Sequence, residues 1–208
     1  VFAETPLQKN AHLSAIYDAD IWLKREDLSP VRSYKLRGAF NAMRKLTDQK
    51  HFVCASAGNH AQGVAYMCRY FDVLGTVFMP VTTPQQKIHK TKMFGGETVK
   101  IELVGDYFDD CLRAAMDYNA KESAHFLSPF DDEDVIEGQA SVAVEIERQL
   151  GDAPDQIILP VGGGGLSSGM ISYFENRSHF TLVEPMGGAC LWAALIAGKP
   201  VKIDHVDA

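Results

Sequence analysis

Three short segments hold residue types that bring chemistry with them. Gly162-Gly163-Gly164-Gly165-Leu166 places four glycines between an apolar run and a helical one. Without side chains in the way, successive backbone N–H groups can turn toward one point. The positive end of the helix that follows adds to them, and the result is a cradle for phosphate. A tight strand-to-helix turn needs one or two glycines, and four exceed that need. Neither Gly-x-Gly-x-x-Gly nor a loop closed by Gly-Lys-Ser/Thr is present, so a monophosphate is expected rather than a dinucleotide. Ser56-Ala57-Gly58-Asn59-His60 also joins a strand to a helix. Its small residues expose N–H groups suited to a carboxylate or a second phosphate, and Asn59 brings an amide able to donate to a ring oxygen. The plainer account is that Ser56 or Asn59 caps the helix, and His60 by itself reads as an ordinary helix residue. Ser33-Tyr34-Lys35-Leu36-Arg37-Gly38-Ala39 sets a lysine at a helix start. The positive helix end disfavours its charge and raises the share of neutral amine. Such an amine attacks carbonyls and forms Schiff bases. A solvated lysine on an amphipathic helix is the alternative, and this segment alone does not exclude it.

The segments that must present these residues alternate in type. Short β-branched or aromatic runs read as strands at Ile21–Lys24, His51–Ser56, Val73–Met79, Thr98–Leu103, Ala124–Ser128, Gln156–Val161 and Phe180–Glu184. Helical spacing predicts helices over Lys35–Leu46 (capped by Ser33), Asn59–Phe71, Pro84 to Gly95-Gly96, Asp106–Lys121, from the acidic loop Phe130–Asp134 to Leu150, Leu166–Glu175 and Ala189–Ala197. Strand and helix in turn predict an α/β protein with parallel sheets wrapped by helices. The two anion loops, about a hundred residues apart, suit two lobes facing a shared cleft. The 208 residues carry 20 Lys+Arg against 27 Asp+Glu, a net charge of −7, which repels nucleic acid and acidic membranes alike. No apolar run approaches the roughly 20 residues of a membrane span, and Val1–Asn10 lacks the basic-then-apolar order of a secretory signal. Cys54, Cys68, Cys111 and Cys190 form no Cys-x-x-Cys pair, so free thiols in a cytoplasmic setting are expected. An apolar run opens again at Val201–Ile203 close to the end of the sequence, which reads as an incomplete domain.

Taken together, the lysine, Ser-Ala-Gly-Asn-His and tetraglycine segments, in that order and spacing, resemble the fold-type II pyridoxal-phosphate enzymes, in particular the threonine and serine dehydratase branch. Thr5-Pro6-Leu7, Leu23-Lys24-Arg25-Glu26-Asp27-Leu28, Ala61-Gln62-Gly63-Val64-Ala65 and Val183-Glu184-Pro185 agree with that branch, so the resemblance spans the chain. It implies a two-lobed, tryptophan synthase β-like architecture, with 51–131 as the small domain and 1–50 with 132–208 as an incomplete large one. It implies that Lys35 forms the Schiff base with pyridoxal 5'-phosphate and acts as general base at the substrate Cα, and that Tyr34 packs where the family usually has Phe. Asn59 is implied to bond the cofactor's ring hydroxyl, Gly162, Gly163, Gly164, Gly165 and Leu166 to hold its phosphate, and Ser56, Ala57, Gly58 and His60 to line the substrate-carboxylate pocket. The activity implied is loss of water and ammonia from threonine or serine, within amino-acid metabolism.

Where racemases of this fold look to carry an acid/base serine, this chain has Ala57, which favours elimination. The resemblance implies no metal, because Cys190 stands where relatives with a metal site place a carboxylate after Glu184, and hard cations prefer oxygen. The expected partners are a small amino-acid substrate and further copies of the chain, as a dimer or tetramer, with no nucleic acid and no membrane. The partner of the pyridine nitrogen is expected beyond this sequence, so these 208 residues alone are expected to be poorly active or unstable. The rivals are a serine dehydratase, a threonine synthase, the more remote β-replacement synthases, and a non-catalytic phosphate-ligand-binding fragment with no need of Lys35.

Overall fold

The computed structural model describes residues 3–201 and 203. In chain order it contains β1 (Leu7–Lys9), α1 (Ala11–Tyr17), β2 (Trp22–Lys24), α2 (Lys35–Lys45), β3 (His51–Ala55), α3 (Asn59–Phe71), β4 (Leu74–Met79) and α4 (Gln85–Gly95). These are followed by β5 (Val99–Leu103), α5 (Phe108–Lys121), β6 (His125–Phe126), α6 (Glu133–Leu150), β7 (Gln156–Pro160), α7 (Gly165–Phe174), β8 (His179–Val183) and α8 (Cys190–Ala197). Strands β5-β4-β3-β6 form one parallel sheet, with Phe52 opposite Gly75 on one side and His125 on the other. Strands β7 and β8 form a second parallel sheet in which Ile158 pairs with Thr181.

Parallel strands covered on both faces read as near-continuous apolar runs, and β3 and β4 do. Phe52, Cys54, Val77 and Met79 pack against Val64, Met67 and Cys68 of α3 and Leu36 and Ala39 of α2. Val53, Ala55 and Phe78 meet Cys111 and Ala115 of α5 on the opposite face. A Cβ on Gly75 would lie 2.7 Å from Cys68 Sγ, so the glycine lets α3 close onto β4. Ile157 and Leu159 of β7 pack with Val142, Ala143 and Ile146 of α6 and with Met170 and Phe174 of α7. Helix α6 serves both cores, since its Val135 belongs with the α2–α3 layer. Asp132 caps it, accepting from Val135 N at 3.0 Å, and Gly151 ends it at φ +90°.

The expected strands and helices appear with ends shifted by at most two residues, and Asn59–Phe71 not at all. Two of the strands β1–β8 and helices α1–α8 were not expected. Strand β1 pairs antiparallel with β2, Leu7 opposite Lys24; Leu-Gln-Lys has no β-branched residue, and only its partner makes it a strand. Helix α1 has seven residues, with Asn10 Oδ1 accepting from Leu13 N at 2.9 Å as its cap. The apolar run expected at 201–203 contains Lys202, which lies outside the described residues. Among the described residues no helix is long and apolar enough to cross a membrane.

Candidate active site

The chain approaches Lys35 through a locked turn. Ser29 Oγ donates to Ser33 O at 2.9 Å and accepts from Ser33 N at 2.8 Å, while Arg32 takes φ +56°. Tyr34 stands at the cap of α2 without a capping side chain. Ser33 Oγ accepts from Lys35 N at 3.2 Å, so the serine supports the helix start from one residue further out than expected. Helix α3 presses against this turn at Gly63, where a Cβ would lie 3.3 Å from the Lys35 carbonyl carbon and oxygen. Lys35 Nζ donates to Pro129 O at 2.5 Å and sits 5.5 Å from the Tyr34 ring centre. Burial pushes the Lys35 amine down to about 8. The direction is the one expected from the helix start, but the dominant cause is lost hydration.

At the second segment neither expected cap forms. Gly58 occupies the cap position of α3, and no side chain serves it. Ser56 Oγ accepts instead from Gly58 N at 3.1 Å, tying the loop to itself, and Asn59 begins the helix with its side chain exposed. A Cβ on Gly58 would meet no atom within 4 Å, so the glycine leaves open space beside the loop rather than relieving a clash. Ala57 packs on the α2–α3 core. His60 is 3% exposed, and its Nε2 is 3.0 Å from Leu127 O. A carbonyl only accepts, so Nε2 carries the proton and Nδ1 the lone pair. Nδ1 finds no partner among the described residues. Burial holds the imidazole neutral down to about pH 4, with a smaller contribution of the same sign from the Lys35 charge.

The glycine turn is built as the sequence suggests, with Gly164 at φ +85° and Gly165 already the first residue of α7. Ser167 Oγ donates to Gly164 O at 2.9 Å and Ser168 N donates to it at 2.8 Å. A Cβ on Gly162 would face open space, whereas one on Gly163 would lie 2.2 Å from Phe130 Cδ1. Leu166 packs on the β7–α7 core.

One segment touches all three. Residues 127–130, between β6 and α6, supply Leu127 O to His60, Pro129 O to Lys35 and the Phe130 ring to Gly163. Sequence reasoning passed it over, because a backbone carbonyl has no residue-type signature. Glu184 accepts from Leu191 N at 2.7 Å and Trp192 N at 3.0 Å, so its carboxylate caps α8, and Cys190 is exposed. The arrangement brings together a largely dehydrated primary amine, a glycine turn of open N–H groups at a helix start, and an exposed amide.

The sequence matches the family described as "Pyridoxal-phosphate dependent enzyme" over residues 1–208. It is 46% identical to the biosynthetic L-threonine dehydratase IlvA of Mycobacterium tuberculosis over 213 residues, 100% of this chain and 50% of that protein. It is also 46% identical to the same-named protein of Lactococcus lactis over 216 residues, 100% of this chain and 52% of that one. The chain thus spans about half the length of the curated relatives it matches. The processed form of threonine deaminase isoform 2 from Solanum lycopersicum superposes with a TM-score of 0.91 at 38% identity, covering 100% of this chain and 58% of that one. With the whole sequence matched and the same arrangement of sheets and helices shared, the chain belongs to the pyridoxal-phosphate-dependent enzyme family, fold type II.

Proposed function

We propose that this chain is part of a threonine ammonia-lyase (threonine dehydratase) that converts L-threonine to 2-oxobutanoate and ammonia, with L-serine to pyruvate as a secondary reaction. The observation that carries this reading is the half-buried Lys35 amine bonded to Pro129 O, on the one segment that also meets His60 and Gly163 of the two loops. The residues present fit a phosphate-tailed aldehyde. Gly58 and Gly162 open onto free space where a side chain would intrude, and the half-buried Lys35 amine bonds Pro129 O of the segment that touches both loops.

When bound, pyridoxal phosphate supplies a ring that stabilises negative charge at the substrate Cα. Lys35 Nζ is its covalent attachment point and the base that takes the Cα proton. Lowering the amine to about 8 leaves about one Lys35 in ten neutral at pH 7. Gly162–Gly165 and Leu166 hold the phosphate with their N–H groups and the α7 end. Tyr34 flanks the ring, and the Asn59 amide donates to its hydroxyl oxygen. Ser56, Ala57, Gly58 and His60 line the substrate carboxylate's site, where backbone N–H groups orient it. His60, neutral and tied to Leu127 O, adds no charge there. Ala57 has no proton to deliver to the far face of Cα, which favours elimination over racemisation.

We infer also a small domain at 51–131 set in a larger one from 1–50 and 132–208, a cytoplasmic location, and assembly as a homodimer or homotetramer. The test uses the full-length gene product. Visible absorbance of bound cofactor, a borohydride-fixed adduct on Lys35 found by peptide mass, and keto-acid release from threonine exceeding that from serine are expected. Lys35→Ala is expected to abolish all three. Phosphate binding without colour in wild type and Lys35→Ala alike would favour a non-catalytic phosphate-binding protein.

A further inference from the structure

Two residues beyond Lys35, a buried charge network grips the same helix from the other side. Arg37 is 3% exposed. Its Nε and Nη2 donate to Glu26 Oε2 and Oε1 at 2.9 and 2.8 Å, and its Nη1 and Nη2 to Glu145 Oε1 and Oε2 at 2.7 and 2.8 Å. Nη1 also reaches Ser141 Oγ at 3.0 Å and Nη2 reaches Thr5 Oγ1 at 3.2 Å. Lys24 Nζ completes the set, donating to Glu145 Oε2 at 2.6 Å and to Thr5 O at 2.7 Å. Two cations thus meet two carboxylates and their charges cancel. Burial alone would raise the Glu145 carboxyl; the bonds from Arg37 and Lys24 outweigh it and hold the group lowered.

A buried ion network of this kind is a weak source of stability, since apolar replacements of similar volume often do as well. What it does supply is direction, because a guanidinium bonded in-plane to two carboxylates has one orientation. The anchors come from the segment before β1, from β2 and the turn after it, and from α6, so Arg37 registers α2 against three separate parts of the chain. Residues two apart on a helix project about 200° apart. Arg37 therefore holds α2 on the side away from Lys35, while the helix backbone is squeezed at both places. A Cβ on Gly138 would lie 2.6 Å from Arg37 O, and one on Gly63 would lie 3.3 Å from Lys35 O. With no room to slide, the remaining freedom of this turn is rotation, and rotation is what the Arg37 fork resists.

We propose that Arg37, held by Glu26 and Glu145, is a positioning residue that sets the rotation of α2 and so aims Lys35 Nζ at the 127–130 segment and the cofactor carbonyl. It rests on the reading of Lys35 given above. Arg37→Lys keeps the charge but loses the planar fork that bonds each carboxylate through two N–H groups, and Thr5→Val removes one hydroxyl from the network at little cost in shape. In the full-length protein, Arg37→Lys is expected to lower both kcat for threonine and the rate at which cofactor becomes fixed to Lys35 by about ten- to a hundredfold, as a small misplacement does. KM for threonine should change little, because the carboxylate loop is untouched. Thr5→Val should shift the same quantities in the same direction by less, and it decides the matter if Arg37→Lys does not fold. A folded variant that only melts earlier, with kcat and Lys35 fixation equal to wild type, overturns the proposal. If wild type itself carries no adduct on Lys35, the underlying assignment of Lys35 fails instead.

Discussion

At the scale of single residues, two bases feel burial to different degrees, Lys35 half-buried and His60 3% exposed. Lys35 loses much of its hydration on folding, and its amine falls to about 8 as a result. The expected outcome is that acylation of Lys35 in cofactor-free protein, followed by peptide mass, reaches half its limiting rate near pH 8, two or more units below an exposed lysine. His60 is lowered by the same cause and is kept neutral. The unfolded chain takes up its proton near pH 6.5 and the folded protein only near 4, so stability is lost as pH falls between those values. The loss attributable to this one group is up to about 3 kcal/mol. His60→Gln should be less stable than wild type at pH 7, and that gap should narrow toward pH 4 in denaturant titrations. The identities of Lys35 and Asn59 could be picked out from neighbours in the sequence. That Nε2 of His60 holds Leu127 O could not, because that bond is made by a backbone atom 67 residues away.

Among elements, α6 is the column on which the site depends. Gly138 lets α2 approach to backbone contact, and Gly169 of α7 does the same from the other side, where a Cβ would lie 2.6 Å from Ile136 O. Alanine is a better helix former than glycine by about 1 kcal/mol, yet Gly138→Ala has to displace backbone atoms. The expected net cost is about 3 kcal/mol, read as a lower denaturation midpoint, with weaker cofactor retention because α2 carries Lys35. Helical periodicity marked α6 and α2 clearly. Their contact rests on single glycines, whose presence in a helix reads from sequence only as a small local cost.

For the molecule as a whole, the two parallel sheets are finished differently. The β5-β4-β3-β6 sheet has helices on both faces. The β7-β8 sheet covers one face with α6 and α7 and leaves Ile158 67% and Val183 48% exposed on the other, and Trp192, Leu195 and Ile196 of α8 are exposed as well. A parallel sheet ordinarily buries both faces, and apolar surface of this kind draws partners. Residues 1–208 produced alone are therefore expected to bind an apolar-surface dye, and Ile158→Lys should reduce that signal without lowering the melting temperature. Thiol titration of the folded chain should show Cys190 reacting first, with Cys54, Cys68 and Cys111 protected, since Cys190 alone of the four is exposed and burial pushes the Cys68 thiol up to about 12.

The sequence by itself determined the alternation of strands and helices, the positions of both small-residue strand-to-helix loops, and the lysine that begins α2. Each of these is written in residue type and local spacing: glycine freedom, apolar period, the order of polar groups at a helix start. Tertiary structure alone decided that 127–130 would join the three segments, that β1 would be a strand, and that Arg37, Glu26 and Glu145 would close into one network. Those outcomes depend on backbone atoms and on charges 11 to 108 residues apart meeting in space, and no local pattern encodes such distances.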